Sequence, residues 1–124
     1  MRNGKRDIRE ILQKVYSHKS LAGVDLRNLY LSCMNFSNLD LRRANFEGCK
    51  LGHAILDCSD LTDANLADTD LRNASFKETN LTGVIFRGAI VLGANFAGAK
   101  VAVQAKKYLI SKGAMGFSGR NLSR

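Results

Sequence analysis

From Leu21 to Val101 every fifth residue is Leu, Phe or Val: Leu21, Leu26, Leu31, Phe36, Leu41, Phe46, Leu51, Leu56, Leu61, Leu66, Leu71, Phe76, Leu81, Phe86, Val91, Phe96 and Val101. The position two before each of these centres is small or apolar from Val24 to Ala99, with Lys19 as the one departure. A fixed internal period constrains the architecture more than any local propensity does. A period of five suits neither regular element. On a helix of 3.6 residues per turn successive centres rotate off a common face, and on a straight strand an odd period sends every second centre to the opposite side. The chain must therefore turn once per repeat.

Five residues then form one short extended side and a corner, and four sides close a roughly square coil of twenty residues. Centres twenty apart stack into four interior columns, the first being Leu21, Leu41, Leu61, Leu81 and Val101. Parallel ladders between coils at about 4.8 Å give a rod of about 20 Å. The corner lies two residues after each centre. Gly23, Asn28, Asn38, Gly48, Asn73, Gly83, Gly88, Gly93 and Gly98 occupy it and suit the positive φ of a type II turn. Cys33, His53, Cys58 and Val103 suit it less, so a different turn is expected at some corners.

The runs Ala44-Asn45-Phe46-Glu47-Gly48, Ala64-Asn65-Leu66-Ala67-Asp68 and Ala94-Asn95-Phe96-Ala97-Gly98 resemble the A(D/N)LXX consensus of pentapeptide repeat proteins. The resemblance covers about residues 20–103 and implies a right-handed quadrilateral β-helix. The fold class expected is thus an all-β solenoid of just over four coils, with an α-helical cap at each end.

Open ends of a solenoid expose core and unpaired ladder groups, which caps protect. Ile8, Ile11, Leu12, Val15 and Tyr16 share one helical face, predicting a capping helix within residues 1–18 that covers the first coil. Ala102, Ala105, Tyr108 and Leu109 predict a second one within residues 104–113, ended at Lys112-Gly113. The β-helix is assigned to 19–103, and the Gly/Ser-rich, basic residues 114–124 to a loose tail.

The net charge of +8 belongs to the ends. The repeat stretch 19–103 holds nine basic and nine acidic residues, so its wall is not a basic groove. Charges twenty apart are matched at Arg27/Glu47, Arg43/Asp63, Lys50/Asp70 and Asp57/Lys77, against one clash at Asp40/Asp60, which suggests coil-to-coil ion pairs. No signal peptide or membrane span is expected, and three cysteines at ordinary repeat positions suit a reduced, cytoplasmic setting.

Catalytic and cofactor motifs are not found. Gly83, Gly88, Gly93 and Gly98 follow the corner period rather than a phosphate loop, and Cys33 with His53 supplies only two ligands for a metal. The informative departures are apolar residues at outward positions: Tyr30, Ile55, Ile85, Ile90 and Leu92. Ile85, Ile90 and Leu92 cluster on the last coil and, with Lys106, Lys107 and Lys112, form the candidate interaction surface. Either the C-terminal segment folds over the three apolar residues, or a partner does. The function expected is a noncatalytic structural or protein-interaction module with no cofactor. Its partner is an unidentified protein, a second copy of the chain being one candidate. The alternatives are a gyrase-binding DNA mimic, which the family resemblance implies but the neutral wall disfavours, and weak, nonspecific nucleic-acid binding by the basic ends.

Overall fold

Residues 8–117 are described in the computed structural model. Two nine-residue helices, α1 (Ile8–Tyr16) and α2 (Val103–Ser111), flank a ladder in which each five-residue side contributes one bridged residue. Among the described residues thirteen parallel bridges join positions twenty apart, from Asp25↔Asn45 to Asn95↔Met115. The sides are too short for a continuous strand between corners, so the expected all-β character takes the form of isolated bridges. Around each bridge the hydrogen bonds alternate between coils: the Leu26 N–H donates to the Asn45 C=O at 2.8 Å, and the Asn45 N–H donates back to the Val24 C=O at 2.9 Å.

The centres from Leu21 to Phe96 are at most 5% exposed, while Val101, where the chain leaves the ladder, is half-buried. The Phe76 and Phe96 rings lie parallel at 4.9 Å, one coil spacing apart. The layer at minus two lies buried or half-buried beside them, and its polar members are satisfied. Thr69 and Thr79 hydroxyls donate to the Leu66 and Phe76 C=O groups, and the Cys49 thiol donates to the Leu26 C=O. The Ser59 hydroxyl reaches the coil below, donating to the Phe36 C=O and accepting from the Leu39 N–H.

The corners are more uniform than the sequence suggests. All sixteen from Gly23 to Gly98 have positive φ, among them Cys33 (65°), His53 (61°), Cys58 (62°) and Arg43 (59°). The bond that closes a type II turn, from the residue after the corner to the centre, is present on Gly and non-Gly corners alike, for example Ala54 N–H to Leu51 C=O at 3.0 Å. Each corner is fixed by ladder bonds on both sides, and this tertiary constraint overrides the preference of Cys, His or Arg against the left-handed region. Val103 stands apart because it opens α2.

Both helices end in the same way. In α1 the His18 N–H donates to Val15 and the Lys19 N–H to Lys14; in α2 the Gly113 N–H donates to Ile110 and the Ala114 N–H to Leu109. These paired bonds are Schellman motifs, and they place His18 (φ 55°) and Gly113 (φ 91°) at the left-handed position. Helix α1 buries a narrower stripe than expected. Ile11 and Val15, one turn apart, join the first-coil core, whereas Ile8 is 39% exposed and Tyr16 78%. In α2 Leu109 is fully buried, Ala105 and Tyr108 pack against the core, and Ala102 is exposed at the helix entrance.

The chain does not become a loose tail at Ala114. Helix α2 replaces two sides of a fifth coil, and the chain then rejoins the ladder in register: Met115 bridges Asn95, the Phe96 N–H donates to Met115, and the Phe117 ring stacks on Phe96 at 5.7 Å. The physical reason is the otherwise open top of Phe96, which Phe117 covers. Residues 1–7 and 118–124, including the expected contributions of Lys5, Arg6, Arg120 and Arg124, lie outside the described residues.

Candidate interaction surface

The Asp or Asn preceding many centres has a double role that the consensus alone does not explain. Its backbone forms the bridge, and its side chain accepts the N–H two residues on, inside the turn. Asn35, Asn45, Asn65, Asn80 and Asn95 do so at 2.9–3.1 Å. These Asx bonds satisfy a donor that a corner otherwise leaves to water. Where Ser75 stands at this position, Asp57 of the coil below accepts the Lys77 N–H instead, at 2.9 Å.

The charged wall is paired along the chain rather than between coils. In the three Asp-Leu-Arg runs the guanidinium grips the carboxylate two residues earlier: Arg27 to Asp25 at 2.9 Å, Arg42 to Asp40 at 2.8 Å and Arg72 to Asp70 at 2.6 Å. The coil-to-coil pairs expected from the spacing of twenty are corrected accordingly. Arg27 bonds Asp25, with Glu47 a weaker influence, and Asp57 meets the backbone of Lys77. Arg43/Asp63 and Lys50/Asp70 form no ion-pair contact among the described residues. Asp40 escapes the expected clash with Asp60 because Arg42 and the Ser20 hydroxyl hold it.

Hydrogen bonds from Arg42 and Arg72 hold the Asp40 and Asp70 carboxyls below the ordinary carboxylate range. A depressed folded-state pKa adds stability above the unfolded value of about 4, lost as pH falls through the folded value. Denaturant midpoints should therefore drop below about pH 4. Asp70→Asn should shallow that drop and lower neutral stability by the same amount, a small one because Arg72 is half exposed. Urea titrations at a series of pH values measure it, and an unchanged acid slope would remove Asp70 from the account.

At the C-terminal coil Ile85, Ile90 and Leu92 are 45%, 49% and 61% exposed. The C-terminal segment leaves them exposed while adjoining two of them: Gly113 lies close against Leu92, and Ile90 shares a recess with Tyr108 and Lys112. Of the candidate lysines, Lys106 lies over the Phe117 ring and Lys112 over Tyr108, about 6 Å from each centroid, so both also belong to the cap; Lys107 is exposed. Tyr108 donates to the Ala89 C=O at 3.4 Å. Cys33 and His53 sit on successive rungs of one corner column, followed by Asn73 and Gly93, and no three metal-ligating side chains gather among the described residues. Cys33 and Cys58 are exposed free thiols, and Cys49 is the buried thiol that donates to the Leu26 C=O.

A family model described as pentapeptide repeats matches the chain in eight copies, over residues 20–57 and 59–98. The chain belongs to the pentapeptide repeat family. Membership implies the right-handed quadrilateral β-helix. The twenty-residue period of the bridges and the corner in every repeat accord with that architecture. Among solved structures this pentapeptide repeat protein is similar to one from Nostoc PCC 7120, at 23% identity over 77% of this chain and 95% of that one, with a TM-score of 0.65. It is also similar to a pentapeptide repeat protein of the Arabidopsis thaliana thylakoid lumen (27% identity, 82% and 85% covered, TM-score 0.43). A third is HetL of Nostoc sp. strain PCC 7120, involved in heterocyst differentiation regulation (28% identity, 66% and 44% covered, TM-score 0.37). A comparison with curated protein sequences found no match. No helix among the described residues is long and apolar enough to cross a membrane.

Proposed function

We propose that this pentapeptide repeat protein is a noncatalytic structural and protein-interaction module, a rigid rod that presents its C-terminal coil to a protein partner. The observation that carries this reading is the exposure of Ile85, Ile90 and Leu92 on two adjacent walls of one coil. Elsewhere the same outward positions are mostly polar and engaged in turn bonds or ion pairs. Solvent-exposed branched residues at a defined end of a stiff scaffold favour a protein surface over a small polar ligand. The exposed free thiols of Cys33 and Cys58 support a reducing, cytoplasmic setting.

The test is affinity capture from the native host with wild type and with Ile85→Lys/Leu92→Lys. A protein retained by the first and lost by the second supports the reading; a partner indifferent to both substitutions refutes the surface. Two further measurements address the other readings. Gyrase supercoiling should be unaffected at submicromolar protein, because the repeat wall has no net negative charge to imitate DNA. Anisotropy titrations with unrelated oligonucleotides should show binding only at low salt, since a few loose phosphate contacts are screened near physiological ionic strength. Tight, sequence-dependent binding at the higher salt would transfer the function to nucleic-acid recognition.

A further inference from the structure

The ladder has a gap at its C-terminal end. Bridges continue upward from Asn80 to Lys100 and from Asn95 to Met115, but among the described residues nothing bridges Ile85 or Ile90 from above, because α2 takes the place of those two sides. Every lower coil shows what the missing rung contributes. Over Asn65, for instance, the bridging residue Ile85 donates its N–H to the Ala64 C=O and accepts the Leu66 N–H, and the Arg87 C=O accepts the Asp68 N–H. The equivalent groups one coil higher are the Val84 C=O and the Phe86 and Gly88 N–H groups, and none of them has a partner among the described residues. The Val84 and Phe86 groups border a recess of about 250 Å³ between this side and Gln104, Ala105 and Tyr108 of α2.

The charge around this recess is mainly positive, although the Asp68 carboxylate of the coil beneath lies against Gly88. From Thr79 to the C-terminus the sequence contains no Asp or Glu, while Arg87, Lys100, Lys106, Lys107 and Lys112 fall within the described part of that stretch. The coil beneath, by contrast, carries Asp60, Asp63, Asp68 and Asp70.

Building on the interaction-module reading, we propose that the side Val84–Gly88 is a docking edge for an extended, acidic peptide segment of a partner protein, which adds the missing parallel rung over Ile85. One guest residue donates to the Val84 C=O and accepts the Phe86 N–H, and the C=O two residues on accepts the Gly88 N–H. The rung geometry comes from the ladder below, with a strand spacing of about 4.8 Å. An apolar guest side chain rests on Ile85, which is 45% exposed, and an acidic side chain two residues further on shares its outward face and meets Arg87. The open ladder groups supply affinity and the basic rim supplies selectivity. Nucleic acid has no means of pairing the ladder groups in this way, so a peptide fits the edge better.

The probes are a capped nine-residue peptide with Thr at every second position and Val and Glu alternating between them, its Val/Lys counterpart, the Val/Glu peptide N-methylated at alternate residues, and a duplex oligonucleotide. Amide exchange of the full chain, read by NMR, reports Phe86 and Gly88 directly. The Val/Glu peptide should slow exchange at both amides at least about tenfold at saturation, and the N-methylated and Val/Lys peptides should not. Ile85→Lys and Arg87→Glu should each weaken binding at least about fivefold without loss of fold, because Lys50 and Glu47 occupy equivalent wall positions lower in the rod. The proposal is overturned by unprotected Phe86 and Gly88 at millimolar Val/Glu peptide, by equal binding of the Val/Lys peptide, or by equal protection from the oligonucleotide. If the host partner is still captured by Arg87→Glu but lost on Leu92→Lys, the interaction module stands and this edge does not. If no partner is captured by the wild type, the module reading itself fails.

Discussion

Phe76→Ala should destabilise the protein by about 3–5 kcal/mol, the usual cost of emptying a large aromatic site in a close-packed core. Phe76 is fully buried and stacks on Phe96, one coil above. Neighbouring coils are tied by ladder bonds at fixed spacing, so they cannot collapse into the void, and the cost should fall at the upper end of that range. Lys50→Ala provides the contrast. Lys50 is an exposed wall residue with an ordinary φ and no ion-pair contact, and its removal should cost less than about 1 kcal/mol. Asp63 is a poorer control because it occupies a left-handed corner, where Ala adds strain of its own. Chemical denaturation with unchanged m-values measures both. Equal midpoint losses would mean that wall charges hold the rod as firmly as its interior, contrary to the burial pattern.

Gly116→Ala should release the C-terminal segment that rejoins the ladder while leaving the lower coils folded. Gly116 has φ +93°, and a Cβ there would lie 2.5 Å from the Ala97 nitrogen and 2.9 Å from the Phe96 nitrogen. Both are backbone atoms of the last coil and cannot rotate away as a side chain could. The strain of the left-handed region, together with loss of the Phe96–Phe117 stack, puts the local cost at about 2–4 kcal/mol. The expected signature is faster amide exchange at Phe96, which donates to Met115, and at Gly93, which donates to Gly113. Amides of the first two coils should be unaffected, because a solenoid couples mainly nearest neighbours. Uniform acceleration through the chain would instead show that the segment holds the whole rod together.

The period of five determined most of the architecture. It dictated one corner per repeat, the inward centres and the pairing of residues twenty apart, because an odd, short period is compatible with no unbroken helix or strand. Gly113 likewise marked the end of α2 by its chemistry, since the left-handed position of a Schellman motif favours it. The outward Ile85, Ile90 and Leu92 were visible as breaks in an otherwise polar wall. That they stay exposed was not, because that depends on the path of α2.

Other features were decided by tertiary structure. His53 and Arg43 adopt positive φ because the coils above and below fix their turns, and Cys33 because its turn is tied to the coil above, and no local propensity records that constraint. Charge spacing suggested coil-to-coil pairs, yet Arg27, Arg42 and Arg72 close on the carboxylate two residues away, where the turn already brings donor and acceptor together. Residues 114–117 have the composition of a tail, but the open face of Phe96 and the in-register exit of α2 draw Met115 and Phe117 back onto the rod. The sequence by itself therefore determined the repeat, its inward face and the existence of caps, since these follow from periodicity and burial. The identity of each ion pair was decided by the closure of its own turn, and the uniform corners and the unfilled edge above Val84–Gly88 only when twenty-residue separations became neighbours in space.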